Sequence, residues 1–447
     1  MHDLTQGSIP RHITLLAAPI AAGMVFQTLY YLVDLYFVAQ LGDSAVAGVG
    51  AAGSLHFIVF AVTQVLGVGT MALISHAAGR KDAHDANLIF NQSLLMSAIC
   101  ATATLVLGYA LSARYMHTLG ADAETISLGT TYLYWYMPGL ALQFAINSMG
   151  AALRGTGIAK PTMIVQMLTV LLNVFLAPVL IAGWLTGHAL GVAGAGLATS
   201  ISVAVGTVLM LVYFLRLEHY VKFESGMWSP RMEIWRRILK IGLPPGGEFA
   251  LMFAYMAVIY WVIRDFGAEA QAGFGIGMRV MQAIFLPAMA IAFATAPVAG
   301  QNMGAGLAPR VRETFRSSIV MCCSMMLMLT LLCQWRPDVL IRVFTHDTAV
   351  IAVGAQFLHI VSWNFAASGV IFTCSGMFQA LGNTLPGLLS SATRLLTFAV
   401  PAVWLSRSPG FTLRDLWLLS FSTVVLQALV SLLFMKVEFR ERLPAPA

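Results

Sequence analysis

Apolar positions in this chain neither alternate strictly nor keep to one helical face. They run on for twenty residues and more, broken by short polar connections. A helix needs roughly 20 mostly apolar residues to cross the hydrocarbon core of a bilayer. Twelve runs qualify. In the first half they lie at about 13–39, 46–76, 88–112, 125–150, 162–184 and 190–215. In the second half they lie at about 238–263, 269–300, 316–335, 348–376, 387–406 and 414–436. Only the short polar stretch 1–11 precedes the first run, and no small-residue cleavage site follows it, so that run reads as a membrane helix and not as a cleaved signal. The pattern predicts an all-α, polytopic membrane protein.

Composition agrees. Hydrophobic residues make up 59% of the 447 positions and charged residues 10%, against roughly 25% charged in an ordinary soluble domain. Most of the surface therefore faces lipid. The net charge of +6 raises a nucleic-acid reading, but the basic residues sit in short connections between apolar runs, where they set topology. Seventeen Lys and Arg fall on one side of the membrane and six on the other. That bias places both termini in the cytoplasm of a bacterial-type inner membrane and supports an even helix count. The longest polar connection, about 216–240, reads as a cytoplasmic linker with a short interfacial helix over 231–240.

Sliding the sequence by 225 residues brings Gly and Pro onto Gly and Pro. Pro19 meets Pro244; Gly42, Gly48 and Gly50 meet Gly267, Gly273 and Gly275; Gly79 meets Gly304; Gly129 meets Gly354; and Gly157 and Pro161 meet Gly382 and Pro386. There are eight such coincidences, where composition alone predicts roughly two. Gly and Pro dictate backbone conformation, so their register signals a repeated fold. The expectation is two six-helix lobes, 1–220 and 221–447, related by a pseudo-twofold axis along the membrane normal. Pro19 and Pro244 are the candidate helix kinks.

The repeated segments resemble a known family. "LAAPIAAGMVFQTLYYLVDLYFVAQLGDSAVAGVG" (17–50) answers "KIGLPPGGEFALMFAYMAVIYWVIRDFGAEAQAGFGIGMRV" (240–280). "LRGTGIAKP" (153–161) answers "FQALGNTLP" (378–386). Their order, repeat and helix count are similar to the multidrug and toxic compound extrusion family, MATE, over nearly the whole chain. The resemblance implies an antiporter that exports organic, often cationic or amphipathic compounds while H⁺ or Na⁺ enters, with the coupling cation bound in the N-terminal lobe. The implied partners are small-molecule substrates, the coupling ion and membrane lipids. No cofactor and no nucleic acid are implied, and a monomer is expected.

A charge inside a membrane helix is costly, about 2.5–3.5 kcal/mol on insertion scales. Only two acids, Asp34 and Glu248, lie deep. Asp34 either snorkels at the outer mouth or faces the lobe interior, where a proton or metal ion must neutralise it. The resemblance makes Asp34, in "YYLVDLYF", the coupling residue, and matches Gln27 to a polar residue two turns earlier. It adds Asn173 and Thr199 from the fifth and sixth helices, which with Asp34 would also form the metal site if Na⁺ were the ion. Ala177 stands where relatives often carry a second acid, so H⁺ is favoured over Na⁺. Segment 348–376 contains no Asp or Glu, so the C-lobe cation site of some relatives is not expected. Tyr132 and Asn147 lie fifteen residues apart, on one face of the fourth helix, and match residues lining the N-lobe pocket of relatives.

Glu248 is either an interfacial cap near a kinked helix start or a cavity-facing acid that attracts cationic substrate. Arg279 and Arg394 read as structural braces; exposed to a cavity they would favour anionic or lipid-linked substrates. His56 and His359 read as packing residues, and the five cysteines lie in apolar stretches without metal spacing. No phosphate-binding GxxxxGK[ST] loop and no HExxH or GxSxG motif occurs, so the chain reads as no enzyme. The alternatives to drug export are a flippase for a lipid-linked oligosaccharide, an intramembrane enzyme and a passive channel.

Overall fold

The computed structural model describes residues 1–119 and 122–444. The described residues form helices and no strand. The first half comprises α1 (Ile9–Ala39), α2 (Asp43–Gly79), α3 (Ala83–Leu119), α4 (Ala123–Gly155), α5 (Lys160–Ile181) and α6 (Val192–Arg216). The second comprises α7 (Met232–Ile263), α8 (Ala268–Gly304), α9 (Ala308–Trp335), the single-turn α10 (Pro337–Arg342), α11 (Thr348–Val361), α12 (Phe365–Leu381), α13 (Leu385–Leu405) and α14 (Leu413–Arg442). Eleven spans are long and apolar enough to cross a membrane, counting Thr348–Leu381 as one. The twelfth is α4, whose run of Tyr, Trp and Gly lowers its hydropathy. It packs against α2, α3 and α6, so neighbours and not lipid surround much of it. The architecture is twelve membrane helices in two six-helix repeats.

The repeat register is visible in the backbone. Gly157 and Gly382 end α4 and α12 with φ of 81° and 72°, a left-handed conformation that only glycine takes at low cost. A Cβ on Gly48 would lie 2.9 Å from the Gly129 nitrogen, and one on Gly129 would lie 2.8 Å from the Gly48 oxygen. α2 and α4 touch backbone to backbone there. Their mates repeat the contact: a Cβ on Gly354 would lie 3.2 Å from the Gly273 oxygen. Small residues permit such close helix packing where no hydrophobic drive exists between helices.

Packing divides the chain into two compact units, Met1–Asp3 with Pro19–Gly242, and Leu4–Ala18 with Leu243–Ala447. The border thus falls at Gly242/Leu243 and not at 220/221, and the start of α1 belongs with the second unit. Three amides on α3 explain the first shift. Asn87 accepts from Lys222 N (2.6 Å), Asn91 donates to Lys222 O (2.8 Å), and Gln92 donates to Met227 O and Ser229 O (2.7 and 2.8 Å). Gln92 Oε1 also accepts from Arg231 N and Trp235 Nε1. The linker is therefore tied to the first unit. In the second unit, Leu4 N donates to Gln301 Oε1 (3.0 Å) and Arg310 donates to Gly7 O (3.1 Å).

Two local expectations change. The stretch 231–240 is not a separate interfacial helix: α7 starts at Met232 and runs through Pro244 and Pro245. The tenth span is not one helix either. A 3₁₀ turn at Ser362–Asn364 separates α11 from α12, at the register where α4 carries Pro138. Ser362 supports the break by bonding: its carbonyl accepts from Thr330 (2.8 Å) and its hydroxyl from Gln334 (2.7 Å).

Candidate functional site

In the first unit, α1 presents Tyr30 and Asp34 one helical turn apart, at i and i+4. α4 presents Tyr132 and Tyr136 at the same spacing, with ring centroids 5.1 Å apart. α5 supplies Asn173 and α6 supplies Thr199. Asn173 is fully buried, and Thr199, Tyr132 and Tyr136 are nearly so. Asp34 approaches the Asn173 amide and lies within electrostatic reach of Tyr30, Tyr132 and Tyr136. Tyr30 also approaches Thr199. Small residues let these helices close in: a Cβ on Gly196 of α6 would lie 2.7 Å from the Tyr132 carbonyl oxygen.

Several polar atoms of this cluster are left without partners. Asp34 Oδ1, Tyr30 Oη and both amide atoms of Asn173 are shut from the surface and complete no hydrogen bond. Leaving such a group unsatisfied costs about 1–3 kcal/mol. The Thr199 hydroxyl is engaged with its own helix, donating to Ala195 O at 3.1 Å. His56 of α2 closes the edge: its Nδ1 lies 2.8 Å from Tyr136 Oη. That histidine is thus satisfied by a side chain of the cluster. A lone carboxylate among neutral oxygens and an amide, in a low-dielectric surround, must be neutralised by a proton or another cation. Among the described residues no group of three His, Cys, Asp or Glu could hold a metal ion.

Of the residues singled out from the sequence, Asp34, Asn173, Thr199 and Tyr132 come together. Gln27 is exposed on α1. Asn147 works elsewhere, where its amide donates to Thr63 O and braces α4 against α2. Glu248 belongs to the second unit, where its Oε1 would lie 2.8 Å from a Cβ on Gly387 of α13. Pro19 and Pro244 lie inside α1 and α7, within two residues of the borders between the units. Sequence reasoning missed Tyr30, Tyr136 and His56 as neighbours of Asp34. The i, i+4 spacing of Tyr30 with Asp34 and of Tyr132 with Tyr136 was the available signal.

The second unit carries no copy of the site. Moving 225 residues along, Asp34, Tyr132, Tyr136 and Asn173 become Ile259, Phe357, Val361 and Phe398. These four are buried in one hydrophobic cluster. Tyr30 becomes Tyr255, which packs against that cluster. The Tyr255 ring carries the Arg394 guanidinium 4.3 Å above its centroid, and Arg394 Nε is buried without a partner. Arg279 is exposed.

A model of the MatE family matches the chain twice, over 19–179 and 244–405. The matches begin at Pro19 and Pro244, the pair that the repeat register joins. The chain is 27% identical over 422 residues to the "Probable multidrug resistance protein YpnP" of Bacillus subtilis strain 168, covering 93% of this chain and 91% of that protein. It is 26% identical over 433 residues to the "Probable multidrug resistance protein NorM" of Thermotoga maritima, covering 95% and 92%. A solved structure titled "Crystal structure of MATE in the bent conformation" superimposes with a TM-score of 0.90 at 25% identity, covering 98% of this chain and 97% of that one. With the twelve-helix repeat and two matches that share its register, the chain belongs to the MATE family of multidrug and toxic compound extrusion transporters, secondary transporters and not enzymes.

Proposed function

We propose that this MATE transporter is an antiporter that exports organic cations and amphipaths in exchange for H⁺ bound at Asp34. The observation that carries the proposal is the buried, unpartnered Oδ1 of Asp34 beside the fully buried, unpartnered Asn173. A carboxylate in that setting is neutralised by whichever cation reaches it. A proton and a cationic drug stacked on Tyr30, Tyr132 or Tyr136 compete for the same charge, and competition for one site is what antiport requires. Na⁺ is the weaker reading. Ala177, one turn beyond Asn173 and fully buried, adds no oxygen, so one carboxylate and neutral groups would have to replace the hydration shell of the ion.

Coupling follows from differential affinity. A ligand shifts a conformational equilibrium only by as much as it prefers one state. Each unit by which the proton affinity of Asp34 differs between the outward-open and inward-open states supplies about 1.4 kcal/mol. α1 carries Asp34 and contains Pro19, a built-in weak point in its hydrogen-bond ladder, so it is the element that repacks when the charge disappears. The Lys and Arg bias supports a plasma-membrane transporter with both termini in the cytoplasm, and the same reading takes the chain as a monomer.

One observation favours a second reading. Arg394, stacked on Tyr255 without a carboxylate partner, suits an anionic or lipid-linked cargo, as a flippase would carry. Dye efflux from proteoliposomes under an imposed pH or Na⁺ gradient separates the readings. The antiporter reading expects a pH gradient to drive a cationic dye, and Asp34→Asn to reduce that flux to background while eluting as a monodisperse species. Normal efflux by Asp34→Asn would sink it. If neither gradient moves any cationic dye, the case passes to the lipid-linked cargo.

A further inference from the structure

A groove of about 540 Å³ lies between the start of α9 and the end of α14, within the roughly 300–1,000 Å³ of small-ligand sites. Its apolar wall comes from Phe315 on α9 and from Leu432, Met435, Phe439 and Leu443 along one face of α14 and its cap. Phe315 and Phe439 meet edge to face at 5.4 Å. Its mouth carries Arg312, Lys436 and Arg440. All three belong to the side of the membrane that collects the basic residues.

The arrangement is electrostatically one-sided. Lys436 and Arg440 stand at i and i+4 on an exposed face of α14, where like charges repel, and Arg312 faces them across the groove. Among the described residues none of the three forms an ion pair. The acid between them in sequence, Glu438, is taken: Arg442 binds it at 2.7 Å and Asn383 at 2.6 Å. Glu313 and Glu441 are exposed and pair with none of them. Arg312 donates to Pro444 O at 2.6 Å, which holds its guanidinium in place without neutralising it. Cations that serve topology alone require no apolar slot between them. A free anion would use the charges and ignore the slot, whereas an anionic amphipath uses both.

We propose that this groove binds one anionic diacyl phospholipid, its phosphate between Arg312, Lys436 and Arg440 and an acyl chain along Phe315, Leu432 and Phe439. Basic pockets between membrane helices recognise such headgroups, and each Lys or Arg near an anionic lipid surface contributes on the order of 1 kcal/mol.

The test is native mass spectrometry of the full chain released from detergent, titrated with phosphatidylglycerol, with phosphatidylcholine of the same acyl chains, and with inorganic phosphate. The expected result is retention of one phosphatidylglycerol in preference to phosphatidylcholine, with no displacement by millimolar phosphate. The double variant Lys436→Gln/Arg440→Gln alters exposed residues only and is expected to weaken retention about thirtyfold. The triple variant that adds Arg312→Gln is expected to lose it altogether. A control triple, Arg11→Gln/Arg216→Gln/Lys222→Gln, removes as much charge elsewhere and is expected to keep the lipid. Equal loss in the control, equal retention of phosphatidylcholine, or displacement by phosphate would each overturn the proposal.

Discussion

Asn173 is held in a place where its own chemistry is a burden. Both of its amide atoms are buried and unpartnered, while its repeat mate Phe398 fills the corresponding position with an aromatic ring that packs on Tyr255 at 4.6 Å. The fold therefore accepts an apolar side chain there. Removing an unsatisfied polar group in favour of an apolar one of similar shape is neutral or stabilising, and sites that store such cost exchange stability for activity. Asn173→Leu is expected to raise the thermal unfolding midpoint by about one degree, corresponding to about 1 kcal/mol, while sharply reducing proton-driven efflux. Differential scanning fluorimetry beside vesicle transport checks both; a less stable variant would show that the amide is satisfied in the protein. At this scale Asp34 was legible because an acid in an apolar run is rare, and Asn173 and Thr199 because their segments resemble a known pattern. Asn147 stands apart from that cluster for a physical reason. Helical spacing told which face it shares with Tyr132 but not that a carbonyl of α2 would take its amide.

Elements were read well wherever hydropathy alone decides. The twelve runs correspond to twelve spans, since a bilayer forces every backbone group into helical bonds. Reading failed where side-chain amides decide. Nothing in hydropathy says that Asn87, Asn91 and Gln92 of α3 clasp the linker, so the border between the halves was placed some twenty residues early. Gln92 accepts or donates four bonds to that segment. At about 0.5–1.5 kcal/mol net for each, Gln92→Ala is expected to loosen the linker without unfolding α3. Hydrogen exchange over 220–231 should rise by about tenfold or more, and trypsin should cut at Lys222 first; unchanged protection would mean that Asn87 and Asn91 suffice. Helix contacts make a sharper case. A Cβ on Gly48 meets backbone atoms of α4 at 2.9 Å, and backbone cannot rotate away as a side chain can. Gly48→Val is expected to cost about 1–3 kcal/mol, visible as a lower unfolding midpoint, whereas Gly50→Val, with open space around its Cβ, should change it little. Equal effects would refute the close approach of α2 and α4.

The two repeats share backbone register but not chemistry, and the asymmetry sets what one transport cycle moves. In the first unit the cluster around Asp34 holds a single carboxylate. In the second, the equivalent positions are Ile259, Phe357, Val361 and Phe398 in one apolar cluster, which takes up no ion. If Asp34 alone couples transport, one proton enters for each monovalent organic cation that leaves, and the exchange moves no net charge. Such a cycle responds to a pH gradient and is indifferent to membrane potential. If Glu248 also carried a proton, two charges would enter for one leaving, and each 100 mV would contribute about 2.3 kcal/mol for the net charge moved. Proteoliposomes with an imposed potassium diffusion potential distinguish the cases. The expectation is efflux of a monovalent cationic dye at the same rate with and without the potential, and the same indifference in Glu248→Gln. A potential that accelerates wild-type efflux, with the acceleration lost in Glu248→Gln, would instead assign a second proton to the second unit, and the apolar cluster around Ile259 would then have to be read as the reason that proton resides at Glu248, on the same helix but nearer its proline pair.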